Sequence, residues 1–192
     1  AAITKKTRAI MAVHLYGMPA NMTQIIAVAN KYDVLLFEDA AQAHGAGIDK
    51  NPVGTFADAA AFSFYPTKNM TSGEGGMIVV YDEGIERMCR LLRSQGMEKR
   101  YQNEVVGLNN RMTDIHAAIG RVQLKKLDKY NNYRMENARF LNENLEGVVV
   151  PTAPKGYRHV YHQYTIRVVE HDRDKFSQEL EKLGVGSDRK ST

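Results

Sequence analysis

The stretch that decides the fold runs from Arg8 to Asp39, RAIMAVHLYGMPANMTQIIAVANKYDVLLFED. Arg8–Leu15 is short, apolar and bounded by polar residues, the pattern of a buried strand. Gly17 and Pro19 mark a turn. Asn21 stands where it can cap a helix over about Met22–Tyr32, whose apolar residues include Ile25, Ile26, Val28 and Ala29. Val34–Phe37 is a second apolar strand, and it ends in Glu38-Asp39. Strand, helix and strand at this spacing make a βαβ unit, which requires a parallel sheet.

The same reading extends down the chain. Asp58–Tyr65 (DAAAFSFY) is a third strand and Gly76–Tyr81 (GMIVVY) a fourth. Glu83–Ser94 is a helix on which Arg87, Arg90 and Arg93 form a solvated face. From Thr113, a plausible N-cap, one long helix is predicted to about Leu145, with Ile115, Ala118, Ile119, Val122, Leu124 and Leu127 at three- and four-residue spacing. Gly147 ends it, and Pro151, Pro154 and Gly156 punctuate a linker. His159–Val169 is predicted as a strand and Arg173–Leu183 as a final helix. The predicted class is α/β. Residues 1–146 form a large domain with its long connecting helix, and 147–192 the start of a small α+β domain.

Composition narrows the function. The 192 residues carry a net charge of +4, and a 43% hydrophobic share with 25% charged residues is that of a globular protein rather than a disordered or collagen-like one. The mild, dispersed charge is weak evidence for a nucleic-acid partner, and none is expected. No apolar run could span a bilayer. The single cysteine, Cys89, excludes a disulfide framework and a cysteine-rich zinc site, and is expected to be inert core. No metal is expected, and a cytoplasmic protein is. His159 and His162, three apart on a presumed strand, are expected at a surface or interface. Two formal glycosylation sequons, at Asn21 and Asn69, are read as coincidental.

Ligands of open α/β sheets sit beyond the carboxyl ends of the strands, which draws attention to Asp39. Alone, it reads first as a helix or turn cap, and only second as a partner for a cationic ring nitrogen or a metal. Lys68 follows the third strand and precedes Gly73-Glu74-Gly75-Gly76, where partial desolvation would favour a nucleophilic neutral amine. Alone, it reads as a solvated loop lysine, and GEGG matches neither a phosphate loop nor a dinucleotide fingerprint. Together, a strand-end carboxylate, a lysine and a strand-end hydroxyl, Ser63, suit pyridoxal phosphate. The lysine would hold the aldehyde, the carboxylate would keep the pyridine nitrogen protonated, and Ser63 could bind phosphate.

Five motifs then fall in register: AVHLYGMPANM (Ala12–Met22), EDAAQAHGA (Glu38–Ala46), FSFYPTKN (Phe62–Asn69), GEGG (Gly73–Gly76) and GLNNRMTDIHAAIGRVQL (Gly107–Leu124). From Thr7 to about Gly184 the chain resembles the DegT/DnrJ/EryC1/StrS aminotransferases, the sugar aminotransferase branch of the fold-type-I pyridoxal-phosphate enzymes. The resemblance implies that Lys68 holds the cofactor and Asp39 pairs with its ring nitrogen. It implies Gln42 beside the 3-oxygen and Ser63 on the phosphate. It implies that Asn109 reaches the phosphate in the partner subunit, hence a homodimer with shared sites. It implies a glutamate or glutamine donor and a keto-sugar acceptor, nucleotide-linked. The lysine separates the chain from relatives that carry histidine there and act as dehydratases. The family's amino-terminal Gly-Thr phosphate turn and the remainder of its small domain have no counterpart in these residues, so the chain is expected to be an internal piece. Arg111, His14 and His44 lie in matched motifs without assigned roles. Two alternatives stand beside this reading: a regulatory or sensory protein that keeps the fold without turnover, and a cyclitol aminotransferase.

Overall fold

A computed structural model describes residues 2–169 and 171–188. Its elements begin with β1 (Ala9–Val13), α1 (Met22–Tyr32) and β2 (Leu35–Asp39), the predicted βαβ unit. The short strands β3 (Gly47–Ile48) and β4 (Asn51–Pro52) follow, then β5 (Ala59–Ser63), β6 (Gly76–Val80) and α2 (Glu83–Arg93). A ribbon of β7 (Met97–Lys99) and β8 (Gln102–Asn103) leads to α3 (Asp114–Leu124), α4 (Leu127–Asn144), β9 (Tyr157–Arg158) and α5 (Arg173–Lys182).

The main sheet has the order β1-β2-β5-β6. β1, β2 and β5 run parallel, and β6 returns antiparallel along β5. Asn21 caps α1 as expected, its Oδ1 accepting from Gln24 N–H at 3.2 Å. α1 packs on one sheet face, where Met22 and Ala29 meet Ala12 and Leu36. A second apolar cluster joins Ala40, Ala43, Ala46 and Val53 to Val160 from far down the chain. The opposite sheet face leaves Met11, Val13, Leu35 and Ile78 exposed. Cross-strand register puts Asp39 and Ser63 on that same face, because side chains alternate along a strand.

Two predicted elements differ. The helix from Thr113 breaks after Leu124, and α4 starts at Leu127. The apolar spacing runs on through the break, but Leu124 is exposed while Leu127 is buried against Phe64 and Met70. A straight helix would hold these residues, three apart, on one side. The strand predicted over His159–Val169 does not form: β9 ends before it, at Arg158, where it pairs with β3, and within the segment only Arg167 bridges, to Val149. Its backbone is used elsewhere. Val160 N–H donates to Gly17 O at 3.0 Å, Gln163 N–H to Tyr16 O at 3.3 Å, and Tyr161 turns the chain at φ 46°.

Candidate active site

The site is built at the carboxyl ends of β2 and β5. Asp39 ends β2, its Oδ1 accepting from Ala41 N–H at 3.0 Å, while its carbonyl accepts from His14 N–H at 3.1 Å. In the ladder Asp39 lies opposite Ala61, and Ser63 is two residues further on the neighbouring strand. At sheet spacing that sets the two Cα atoms about 8 Å apart, on one face. The turn after Asp39 carries Gln42. Its Oε1 accepts from Tyr16 N–H at 2.6 Å, and Tyr16 is in the left-handed region at φ 60° to present that N–H. The amide is thereby oriented, with Nε2 left as the outward donor.

Lys68 sits in the loop from β5 to β6. The loop closes on itself: Ser72 N–H and Thr71 Oγ1 both donate to Phe64 O, and Phe64 N–H donates to Gly75 O. The half-buried Lys68 makes no side-chain hydrogen bond or ion pair among the described residues. Ser63 Oγ receives only a long 3.4 Å contact from Tyr65 N–H. Asp39 and Ser63 thus end neighbouring strands, and Gln42 and Lys68 lie on the segments that leave those strand ends. Asn109 belongs to a different segment. It is exposed on the segment bridged to Ser94 beyond α2, with Val106 and Leu108 exposed beside it.

The two histidines of the matched motifs separate in character. His14 is fully buried. Its Nδ1 accepts from Ala20 N–H at 3.0 Å, so the ring proton is on Nε2 and is donated to Glu38 Oε2 at 2.9 Å. Glu38 also accepts from Gly54 N–H and Phe56 N–H, each at 2.8 Å. Burial pushes the Glu38 carboxyl up, but the bonds from His14, Gly54 and Phe56 outweigh it and hold the pKa below its ordinary value. His44 is 3% exposed and packed between Phe62 and Phe64, with ring centroids at 5.5 and 5.9 Å. Neither ring nitrogen has a hydrogen bond of good geometry. Burial lowers its pKa to about 4; the Ser63 backbone opposes this and the charge of Lys68 adds to it.

Other expectations need correction. His159 is buried rather than superficial, stacked on Tyr161 at 3.8 Å between centroids. His162 is half-buried, its Nδ1 lying 3.0 Å from Asn69 Oδ1. Cys89 is half-buried rather than core. The arginine face of α2 is exposed as predicted, with Arg87 bridging Glu98 and Glu104. The sequon at Asn69 is buried, which closes it to glycosylation in the folded protein. Among the described residues no cluster of histidine, cysteine or carboxylates could hold a metal, and no helix is long and apolar enough to cross a membrane.

Three participants escaped the sequence reading: the Tyr16 backbone, Asn69 and Asn131. Asn131 did leave a signal. It lies on the stripe of α4 that also buries Leu127 and Ala138, and a polar residue on an apolar stripe asks for partners.

A mostly parallel sheet with a strand-end acid and an unpaired lysine on the adjoining loop defines an α/β protein of the fold-type-I aminotransferase class. The chain matches the DegT/DnrJ/EryC1/StrS aminotransferase family over residues 1–189 and belongs to it. It is 43% identical over 190 residues to the UDP-N-acetyl-3-dehydro-alpha-D-glucosamine 3-aminotransferase of Acidithiobacillus ferrooxidans, covering 97% of this chain and 51% of that protein. It is 40% identical over 193 residues to a pleiotropic regulatory protein of Geobacillus stearothermophilus, again covering 97% and 51%. The crystal structure of S. venezuelae DesV superposes with a TM-score of 0.89 at 36% identity, over 95% of this chain and 50% of that one. The chain spans about half the length of the relatives it matches.

Proposed function

We propose that the intact protein is a pyridoxal-phosphate aminotransferase that moves an amino group from glutamate or glutamine to a nucleotide-linked keto-sugar. The observation that supports this reading is the order of four groups on two adjacent strand ends: the Asp39 carboxylate and the Ser63 hydroxyl at the ends of β2 and β5, and the oriented Gln42 amide and the Lys68 amine on the segments that follow them. This donor set fits the cofactor. Asp39 would hold a pyridinium nitrogen, Gln42 Nε2–H would donate to the 3-oxygen, and Ser63 O–H would donate to the phosphate. Lys68 would anchor the aldehyde carbon. When bound, pyridoxal phosphate supplies an electron sink for negative charge at the donor's α-carbon. The Lys68 amine would take and hold the proton from that α-carbon. The buried His44 ring, within electrostatic reach of Lys68, is neutral and adds no competing positive charge.

Asn109 is assigned to the partner subunit's cofactor phosphate in a homodimer. Its exposure beside Val106, which is 93% exposed, fits a surface that another subunit covers. The nucleotide-sugar acceptor draws its support from the Acidithiobacillus ferrooxidans relative. The likeness to a protein named as a regulator favours a second reading, a cofactor-binding regulator without turnover. The full set Asp39, Gln42, Ser63 and Lys68 speaks against it.

The test is absorption spectroscopy of the intact protein with added pyridoxal phosphate, in wild type and Lys68→Ala. A visible band that is lost in the variant and bleached by glutamate supports the transaminase reading. A band that glutamate leaves untouched supports the regulatory one. No band in the wild type refutes both.

A further inference from the structure

We propose that Asn131 is a positioning residue of this site: its buried amide ties the loop that carries Lys68 to the turn that carries Gln42. The inference rests on the cofactor reading above and adds a residue to it. Asn131 is 0% exposed on α4, 63 positions beyond Lys68. Its Nδ2 donates to His44 O at 2.8 Å, two residues past Gln42. Its Oδ1 accepts from Asn69 Nδ2 at 2.8 Å, and Asn69 adjoins Lys68. One side chain therefore spans both loops. Nothing larger than a hydrogen would fit at the contact with the turn, since a Cβ on Gly45 would stand 2.7 Å from Asn131 Nδ2.

Asn69 is itself 4% exposed and fully engaged. Its Nδ2 also donates to Val160 O at 3.3 Å, and its Oδ1 accepts from His162 Nδ1 at 3.0 Å. From Val160 the bonds run back to the turn. Val160 N–H donates to Gly17 O, and Tyr16 N–H donates to Gln42 Oε1. The result is a closed ring of bonds through Asn131, Asn69, Val160, the Tyr16-Gly17 turn and the Gln42–His44 turn. Buried amides are tolerated only when satisfied, and cutting one bond of a buried network leaves its partner orphaned. In this ring the orphan would be the Asn69 side chain or the His44 carbonyl, and either is free to move the adjoining site residue. A displacement of about 1 Å at a reacting group can cost roughly 100-fold in rate.

The experiment uses the intact protein and four variants: Asn131→Leu, which removes both bonds at similar volume; Asn131→Asp, which keeps the acceptor for Asn69; Asn69→Ala; and the double variant Asn69→Ala/Asn131→Leu. Readouts are the pH midpoint of the visible band of bound pyridoxal phosphate, and kcat and KM for the amino donor. The expected result is a midpoint moved by about half a unit or more. With it, kcat falls roughly 10- to 100-fold while the donor KM stays within about 3-fold. The double variant should be no more than about 2-fold slower than the slower single variant, because both cut the same link. Unchanged midpoint and kcat in any folded Asn131 variant overturns the proposal, as does a double variant whose losses multiply. A wild type that shows no visible band refutes the cofactor reading itself, and this inference with it. Should Asn131→Leu fail to fold, Asn131→Asp and Asn69→Ala decide.

Discussion

Acidification should strike this fold through His44, and the size of the effect follows from its surroundings. The ring is 3% exposed between Phe62 and Phe64, with a pKa near 4 against an ordinary 6.5. Between those values the unfolded chain binds a proton that the folded chain refuses. Stability is therefore complete above pH 6.5 and is lost as the pH falls from 6.5 towards 4. The whole gap is worth about 3 kcal/mol, of which about 2 kcal/mol is gone by pH 5. For a chain of this size that is a Tm decrease of roughly 4–8 °C. His44→Leu removes the titrating group at no cost in hydrogen bonds, since the ring nitrogens make none of good geometry, and it keeps the apolar packing. Thermal unfolding of the cofactor-free intact protein, wild type and variant, at pH 7.5, 6 and 5 tests the reasoning. The variant's Tm should gain on the wild type by roughly 2–4 °C between pH 7.5 and pH 5, because the entropy of unfolding grows with length and the relatives are about twice as long. Parallel Tm curves across this range would refute a buried, neutral His44.

Further outcomes follow from other contacts. Glu38→Gln keeps two of the three bonds but faces one backbone N–H with an NH2, so it should destabilise by about 2–4 kcal/mol at pH 7 in urea titrations. Because the folded Glu38 pKa is lowered, the wild-type advantage is present above the ordinary carboxylate pKa and should shrink as the pH drops through the folded value. Gly17 has φ +92° and an added Cβ would meet His162 N and Val160 Cγ2 at 2.9 Å, so Gly17→Ala should cost more than about 1 kcal/mol by the same titration. Arg87 and its partners Glu98 and Glu104 are about half exposed, so Arg87→Ala should leave Tm within error in high salt and lower it only slightly in low salt.

The parts of the fold visible in sequence were those written in local periodicity. β1, α1 and β2 follow from apolar runs and the Asn21 cap, and α1 begins and ends where the pattern said. The placement of Asp39, Gln42, Ser63 and Lys68 was legible because each closes or follows a strand. What stayed hidden depends on partners distant in sequence. The segment after His159 alternates like a strand, yet its N–H groups are taken by Tyr16 and Gly17. The break at Lys125-Lys126 leaves the three- and four-residue spacing intact. His14 and His44 differ only through what surrounds them: a carboxylate and a backbone donor for one, two phenyl rings for the other.

The bonds that hold the residue next to Lys68 span 62 and 91 positions of chain. During synthesis the lysine leaves the ribosome long before the asparagine and the valine that secure its neighbour. Local helices form within microseconds, whereas such distant closures come late and only after their loop entropy has been met. A nascent chain that has emerged only as far as α4 therefore presents a lysine loop without its Val160 tether. Ordering of the lysine loop belongs to the last stage of folding, after residue 163 is free to dock, and a chain truncated before that point should present a lysine without its tether.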